Sequence, residues 1–180
     1  CDCDECASFT EGYWSDHWHY VIDLIEAALS IYPERQYEFF FKEDAVYFYD
    51  SPAWVLPRSE KYVRFNDELR QFKAVRESSE KKALLATRQQ FPHRARSKQG
   101  RGSVLYSSVY VKLALVYLVK FASLDPEQRG VMLDSDKPNW YDALNGLPGL
   151  LGSSSHELLE LLRLGRMLER TLAGMPLTEL

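Results

Sequence analysis

Val104-Leu105-Tyr106-Ser107-Ser108-Val109-Tyr110-Val111-Lys112-Leu113-Ala114-Leu115-Val116-Tyr117-Leu118-Val119-Lys120-Phe121 is the most apolar stretch of the sequence, and Lys112 and Lys120 are its only charges. Its apolar residues go all the way round a helix, which is the pattern of a helix buried in a large body. A membrane span is the rival reading. That reading needs about 20 clean apolar residues, whereas this run is shorter and carries Lys112 inside it. The stretch therefore predicts a buried helix, and with it a mainly α fold.

The flanking sequence extends the same reading. Downstream, Ser154 stands three residues before Glu157, the spacing of a capping box. Leu158, Leu159, Leu161, Leu162, Leu164, Met167 and Leu168 follow, and Gly174 and Pro176 close the segment in the order expected after a helix. Near the start, Ser15 to Tyr32 places Trp18, Val21, Ile22, Ile25, Ala28, Leu29 and Tyr32 at helical spacing, with Pro33 as the stop. The aromatic runs Tyr37–Phe41 and Ala45–Tyr49 do not declare their type. From Tyr62 to Phe72 the residues alternate with period two around Asn66-Asp67, which predicts a small β-hairpin near residues 61–75 on a helical body. Glu77 to Lys82 is charged and opens a short helix through Thr87. Phe91 to Gly102, rich in basic residues and with two glycines, reads as a loop.

With 46% hydrophobic and 27% charged residues over 180 positions, the chain has the composition of a globular protein with a core. A formal charge of −4 disfavours nucleic acid, whose phosphates call for a basic face. The first residue is Cys1 and no apolar run follows a basic start, so the chain is read as a segment of a longer polypeptide, without a signal peptide. Cys1, Cys3 and Cys6 would need a fourth ligand to hold a metal, and His17 or His19 could supply it. Their spacing matches no zinc signature, and no metal is expected. Three thiols at the start fit a reducing compartment such as the cytoplasm better than a secreted setting.

Eleven Tyr, nine Phe and four Trp exceed what packing usually asks for. The sharpest polar stretch is Asp134-Ser135-Asp136-Lys137-Pro138-Asn139-Trp140-Tyr141-Asp142, running on to Asn145-Gly146-Leu147-Pro148-Gly149 between two apolar helices. An indole face is a platform for the apolar C–H face of a sugar. A carboxyl two residues away can protonate a glycosidic oxygen if burial keeps its proton in place near neutrality. The competing reading has Asp142 capping a short helix from Ala143, with Trp140 in the core. A second cluster is Glu11-Gly12-Tyr13-Trp14-Ser15-Asp16-His17-Trp18-His19, where Trp14 and Trp18 would stack on a sugar and Asp16 and His17 would bind its hydroxyls. Here Asp16 also suits the positive end of a helix. Lys98-Gln99-Gly100-Arg101-Gly102 is a third candidate, a glycine-flanked basic loop able to hold phosphate but without a fingerprint spacing.

Trp140-Tyr141-Asp142 resembles the Trp-Asn-Asp element of inverting disaccharide phosphorylases of the cellobiose and chitobiose type. The run from Asp136 to Gly149, Glu11 to Trp18, and Ser123-Leu124-Asp125-Pro126 are similar to cellobiose-phosphorylase-like proteins. The resemblance implies a partial (α/α)6 toroid of helical hairpins, with residues 1–180 as one segment of a larger catalytic barrel. It implies Asp142 as general acid beside Trp140. Tyr141 departs from the family's Asn, and no match to the family's phosphate-binding residues occurs in the chain.

The expectation is thus a fragment of an enzyme that cleaves β-glucosidic bonds of oligosaccharides, with Asp142 as acid and Trp140, Trp14, Asp16, His17 and Trp18 at the substrate. It needs no cofactor, only inorganic phosphate as co-substrate if it is a phosphorylase. Its partners are the oligosaccharide and the remainder of the same polypeptide, with no nucleic acid and no membrane. Two alternatives stand beside it. An inverting hydrolase would use a second carboxylate, Glu11 or Asp16, to activate water, and a helical domain could bind carbohydrate or serve structure without catalysis.

Overall fold

In the computed structural model, residues 17–42, 46–71, 75–132 and 153–174 are described, and helix accounts for about 55% of them. The order is α1 (His17–Ile31), a 3₁₀ turn (Pro33–Arg35), α2 (Gln36–Phe41), β1 (Val46–Tyr47), β2 (Ala53–Val55), a second 3₁₀ turn (Arg58–Glu60), β3 (Tyr62–Phe65), β4 (Glu68–Gln71), β5 (Val75–Glu77), α3 (Ser79–Ala86), α4 (Ser97–Gly100), β6 (Tyr106–Ser107), α5 (Val109–Ala122), β7 (Val131–Met132), β8 (Ser153–Ser154) and α6 (Ser155–Ala173). The chain divides into two compact units, one holding α1, α2, α5, α6, β7 and β8, the other holding β2 to β5, α3 and α4.

The helical unit forms because four helices each offer apolar residues to one core. Ile22 and Ile25 come from α1, Phe40 from α2, Leu113 from α5, and Leu164 and Leu168 from α6. Trp18, Tyr110 and Tyr117 pack around them, half-buried. Serine caps open both α5 and α6, the one at Ser154 as expected. Ser108 Oγ accepts the Val111 N–H at 3.3 Å, and Ser154 Oγ accepts the Glu157 N–H at 3.2 Å. At Gly165 a Cβ would lie 2.9 Å from Tyr117 Cε2, so the missing side chain lets α6 approach α5. Pro33 ends α1 as expected and then opens the 3₁₀ turn that leads into α2.

The apolar stretch behaves differently from its reading. Its helix begins only at Val109, after Ser108, while Val104 to Ser108 is extended. The helix is also not buried all round: Leu113 is its one buried residue, and Leu115 is 44% and Val119 64% exposed. An apolar run gives no sign of which of its faces a neighbour will cover.

The second unit carries the predicted hairpin. β3 and β4 pair antiparallel from Tyr62↔Gln71 to Phe65↔Glu68. The two-residue turn between them has Asn66 at φ 49° and Asp67 at φ 63°, the left-handed pair that a tight hairpin demands. β2 and β5 form a separate antiparallel pair, Ala53↔Glu77 to Val55↔Val75. The unit's polar centre is Asp50, which meets Lys81 Nζ at 2.7 Å and Arg88 at 2.8 Å. Arg88, with its side chain 5% exposed, also donates to the carbonyls of Pro92 at 2.6 Å and Gly100 at 2.7 Å. One guanidinium thereby fixes the loop from residue 88 to residue 100.

Candidate functional site

Asp142, Trp140, Trp14 and Asp16 lie outside the described residues, as do Glu11, Cys1, Cys3 and Cys6. His17 is the first residue of α1, and Trp18 follows it. Around Trp18 the structure assembles a cluster of titratable side chains from three helices. The Trp18 and His19 rings meet edge to face, centroids 4.4 Å apart, and His19 tilts against His156 at 5.1 Å. Lys120, near the end of α5, holds its ammonium 5.6 Å from the Trp18 ring centroid. The same ammonium reaches Glu157 Oε2 at 2.7 Å.

Glu157 was legible as a capping residue, and its backbone does take the Ser154 cap. Its carboxylate has a second task that the spacing did not reveal, because the partner stands 37 positions away on α5. With side chains 3% and 19% exposed, Glu157 and Lys120 form an ion pair largely shielded from solvent. A carboxylate so enclosed has no water to activate and no open face for a substrate. It acts chemically as a pin between α5 and α6. Trp18 is part of the same packing, with Lys120 and His19 against its ring.

Beside this cluster, β7 and β8 pair Val131↔Ser154 and Met132↔Ser153. Met132 and Ser153, paired directly before α6, flank residues 133–152, which include Trp140 and Asp142 and lie outside the described residues. The preceding turn is built on Asp125. Its Oδ1 accepts the N–H groups of Glu127 at 2.9 Å and Arg129 at 3.1 Å, and its own N–H donates to the Gly130 carbonyl at 2.9 Å. A hydrogen bond from the Ser153 side chain, followed by the Arg129 amide, holds the Asp125 carboxyl below its ordinary range. Gly130 is buried, and a Cβ there would lie 2.9 Å from the Ser154 carbonyl carbon. Turn, glycine and strand pair together fix Met132 and Ser153 beside each other. Sequence alone marked Ser123 to Pro126 by resemblance and gave no hint of the Ser153 contact.

The basic loop of Lys98 to Gly102 proves unsuited to phosphate. Lys98, Gln99 and Gly100 all have left-handed φ, of 49°, 55° and 89°. The turn uses its own donors: the Arg101 N–H bonds to the Lys98 carbonyl at 3.3 Å and the Gly102 N–H to the Ser97 carbonyl at 2.9 Å. Phosphate cradles need those amides pointing outward. Instead the loop serves Arg88, since Gly100 leaves room for its guanidinium; a Cβ would come within 2.8 Å of Nη2.

Among the described residues no group of three or more His, Cys, Asp or Glu side chains is placed to hold a metal ion. No helix among them is long and apolar enough to cross a membrane. Comparison of the chain with protein-family models, with curated proteins and with solved structures finds no match.

Proposed function

We propose that the chain is part of a glycoside-cleaving enzyme of (α/α)6 toroid architecture acting on β-linked glucosides, with Asp142 as its general acid. The observation that carries this is the Trp140-Tyr141-Asp142 element in its polar, proline- and glycine-bounded segment. Two features support it. The residues that flank the segment, Met132 and Ser153, are paired in β7 and β8 at the start of α6. Along α5, Val111, Leu115, Leu118 and Val119 lie exposed in one stripe, the surface a helical hairpin would offer to the next hairpin of a toroid.

In this reading the glycosidic oxygen takes the Asp142 proton as its bond to the anomeric carbon breaks. An oxygen of inorganic phosphate forms the new bond from the opposite face, configuration inverts, and Asp142 is reprotonated from solvent. One protein carboxyl suffices, because phosphate stands where a hydrolase needs a base-activated water. Trp140 and Trp14 would stack on sugar, and Asp16 and His17 would bind hydroxyls. The test is to incubate the intact protein with short β-glucosides, with and without phosphate. Phosphate-dependent release of an α-sugar 1-phosphate is expected. Equal release of free sugar in both would point to a hydrolase with a second carboxylate, and no cleavage at all to a non-catalytic helical domain.

A further inference from the structure

α1, α2 and α6 enclose a groove of about 650 Å³ within the helical unit, a size in the range of small-molecule sites. Its two ends differ in character. At one end Leu159 and Leu162 of α6 are 66% and 50% exposed, and the buried Phe40 and Met167, the latter at the level of the arginines, also line the groove. At the other end stand Arg166 and Arg170, four residues apart on one face of α6. From Leu159 to Arg170 the helix rises about 16 Å.

The charges along this groove are unevenly satisfied. Arg163 is saturated, held by Asp23 at 2.7 Å, Glu26 at 2.5 Å and Glu160 at 3.1 Å, with its pKa raised by the Glu26 hydrogen bond first and Asp23 next. The side chains of Arg166 and Arg170 make no ion pair or hydrogen bond among the described residues. The helix dipole accounts for a basic residue in the last turn, where Arg170 lies, but its effect does not reach back to Arg166. Two unpaired guanidinium forks side by side are the geometry that takes a carboxylate.

We propose that this groove binds a free, single-chain carboxylate, its alkyl tail along Leu159, Leu162 and Met167 and its head between Arg166 and Arg170. A sugar would leave the leucine end without a partner, and an uncharged alkyl chain would leave the arginine end without one. The inference does not depend on the glycosidase reading.

The test is calorimetric titration of the full chain with decanoate, octanoate and 1-decanol below their micellar or solubility limits, with methyl NMR to locate the site. Decanoate is expected to saturate one site, shift the Leu159, Leu162 and Met167 methyls, and bind at least tenfold tighter than octanoate. Arg166→Ala with Arg170→Ala should weaken decanoate at least tenfold and leave decanol unchanged, while R166K/R170K, which keeps the charge without the fork, should recover only part of the loss. Unaltered melting of the arginine variants checks that α6 stays folded. The proposal is overturned if decanoate does not saturate, if the alanine pair leaves its affinity intact, or if shifts appear elsewhere. It is equally overturned if the chain binds only vesicles of phosphatidylcholine with anionic lipid and no free carboxylate.

Discussion

Gly165 sets how closely α5 and α6 approach. An alanine there gains helix propensity worth about 1 kcal/mol but drives its Cβ into Tyr117, at an overpacking cost of about 1–3 kcal/mol. We expect Gly165→Ala to destabilise by about 1 kcal/mol and Tyr117→Leu to relieve it. Stabilisation of Gly165→Ala in urea titrations would show the contact to be slack. Asp125 makes a pH prediction. Its folded pKa lies below the unfolded value of about 3.9, so the stability it contributes is present above that value and is lost as pH falls through the folded pKa. Asp125→Asn should therefore lower the urea midpoint at pH 6 more than at pH 3, whereas equal shifts would remove the linkage. Neither contact was legible beforehand. Both join residues that are far apart in sequence, Gly165 to Tyr117 and Asp125 to Ser153.

Among the elements, the existence and type of the long helices and of the hairpin could be read directly, because each carried a period and a punctuation mark. Pro33 stopped α1, Ser154 and Gly174 bounded α6, and Asn66-Asp67 turned β3 into β4. The apolar run around α5 carried its start mark, Ser108, inside it, where the all-round apolar pattern hid it, and its exposed stripe could not be foreseen. The consequence is measurable. Leu164, fully buried, should cost about 2–5 kcal/mol on replacement by alanine, while Leu115→Ala should cost less than about 1 kcal/mol in this chain. A large Leu115 effect would mean that the stripe is already covered in solution. The Lys120–Glu157 pair gives a sharper test of how α5 and α6 are joined. Lys120→Met removes the partner that Glu157 reaches on α5 and should destabilise the chain, while Lys120→Met with Glu157→Leu should recover most of that loss. If the double variant is as unstable as the single one, the pair contributes through something other than its charges.

For the molecule as a whole, composition and periodicity were enough for a mainly helical body with a small hairpin. The division into two units came only with the structure, since no composition shift or linker marks it. The candidate site is proposed from sequence, and most of its residues lie outside the described ones. The sugar reading of Trp140 and Asp142 rests on residue type and spacing alone, while the cluster of Trp18, His19, Lys120, His156 and Glu157 is built by tertiary contacts that no local pattern encodes. The phosphate reading of the Lys98–Gly102 loop failed for a related reason, since basic residues between glycines do not reveal which carbonyls the amides will meet.

The central claim is that Asp142 donates a proton to the leaving oxygen, and leaving-group dependence tests it most directly. Turnover of the intact protein and of Asp142→Asn should be compared on an unactivated β-glucoside and on an activated aryl glucoside, both with phosphate present. General-acid help is worth about 10²–10⁴ in rate, and an activated leaving group needs little of it. The account predicts that Asp142→Asn loses a factor in that range on the unactivated substrate and keeps most of its rate on the aryl substrate. Equal losses on the two substrates, or no loss on either, would contradict it.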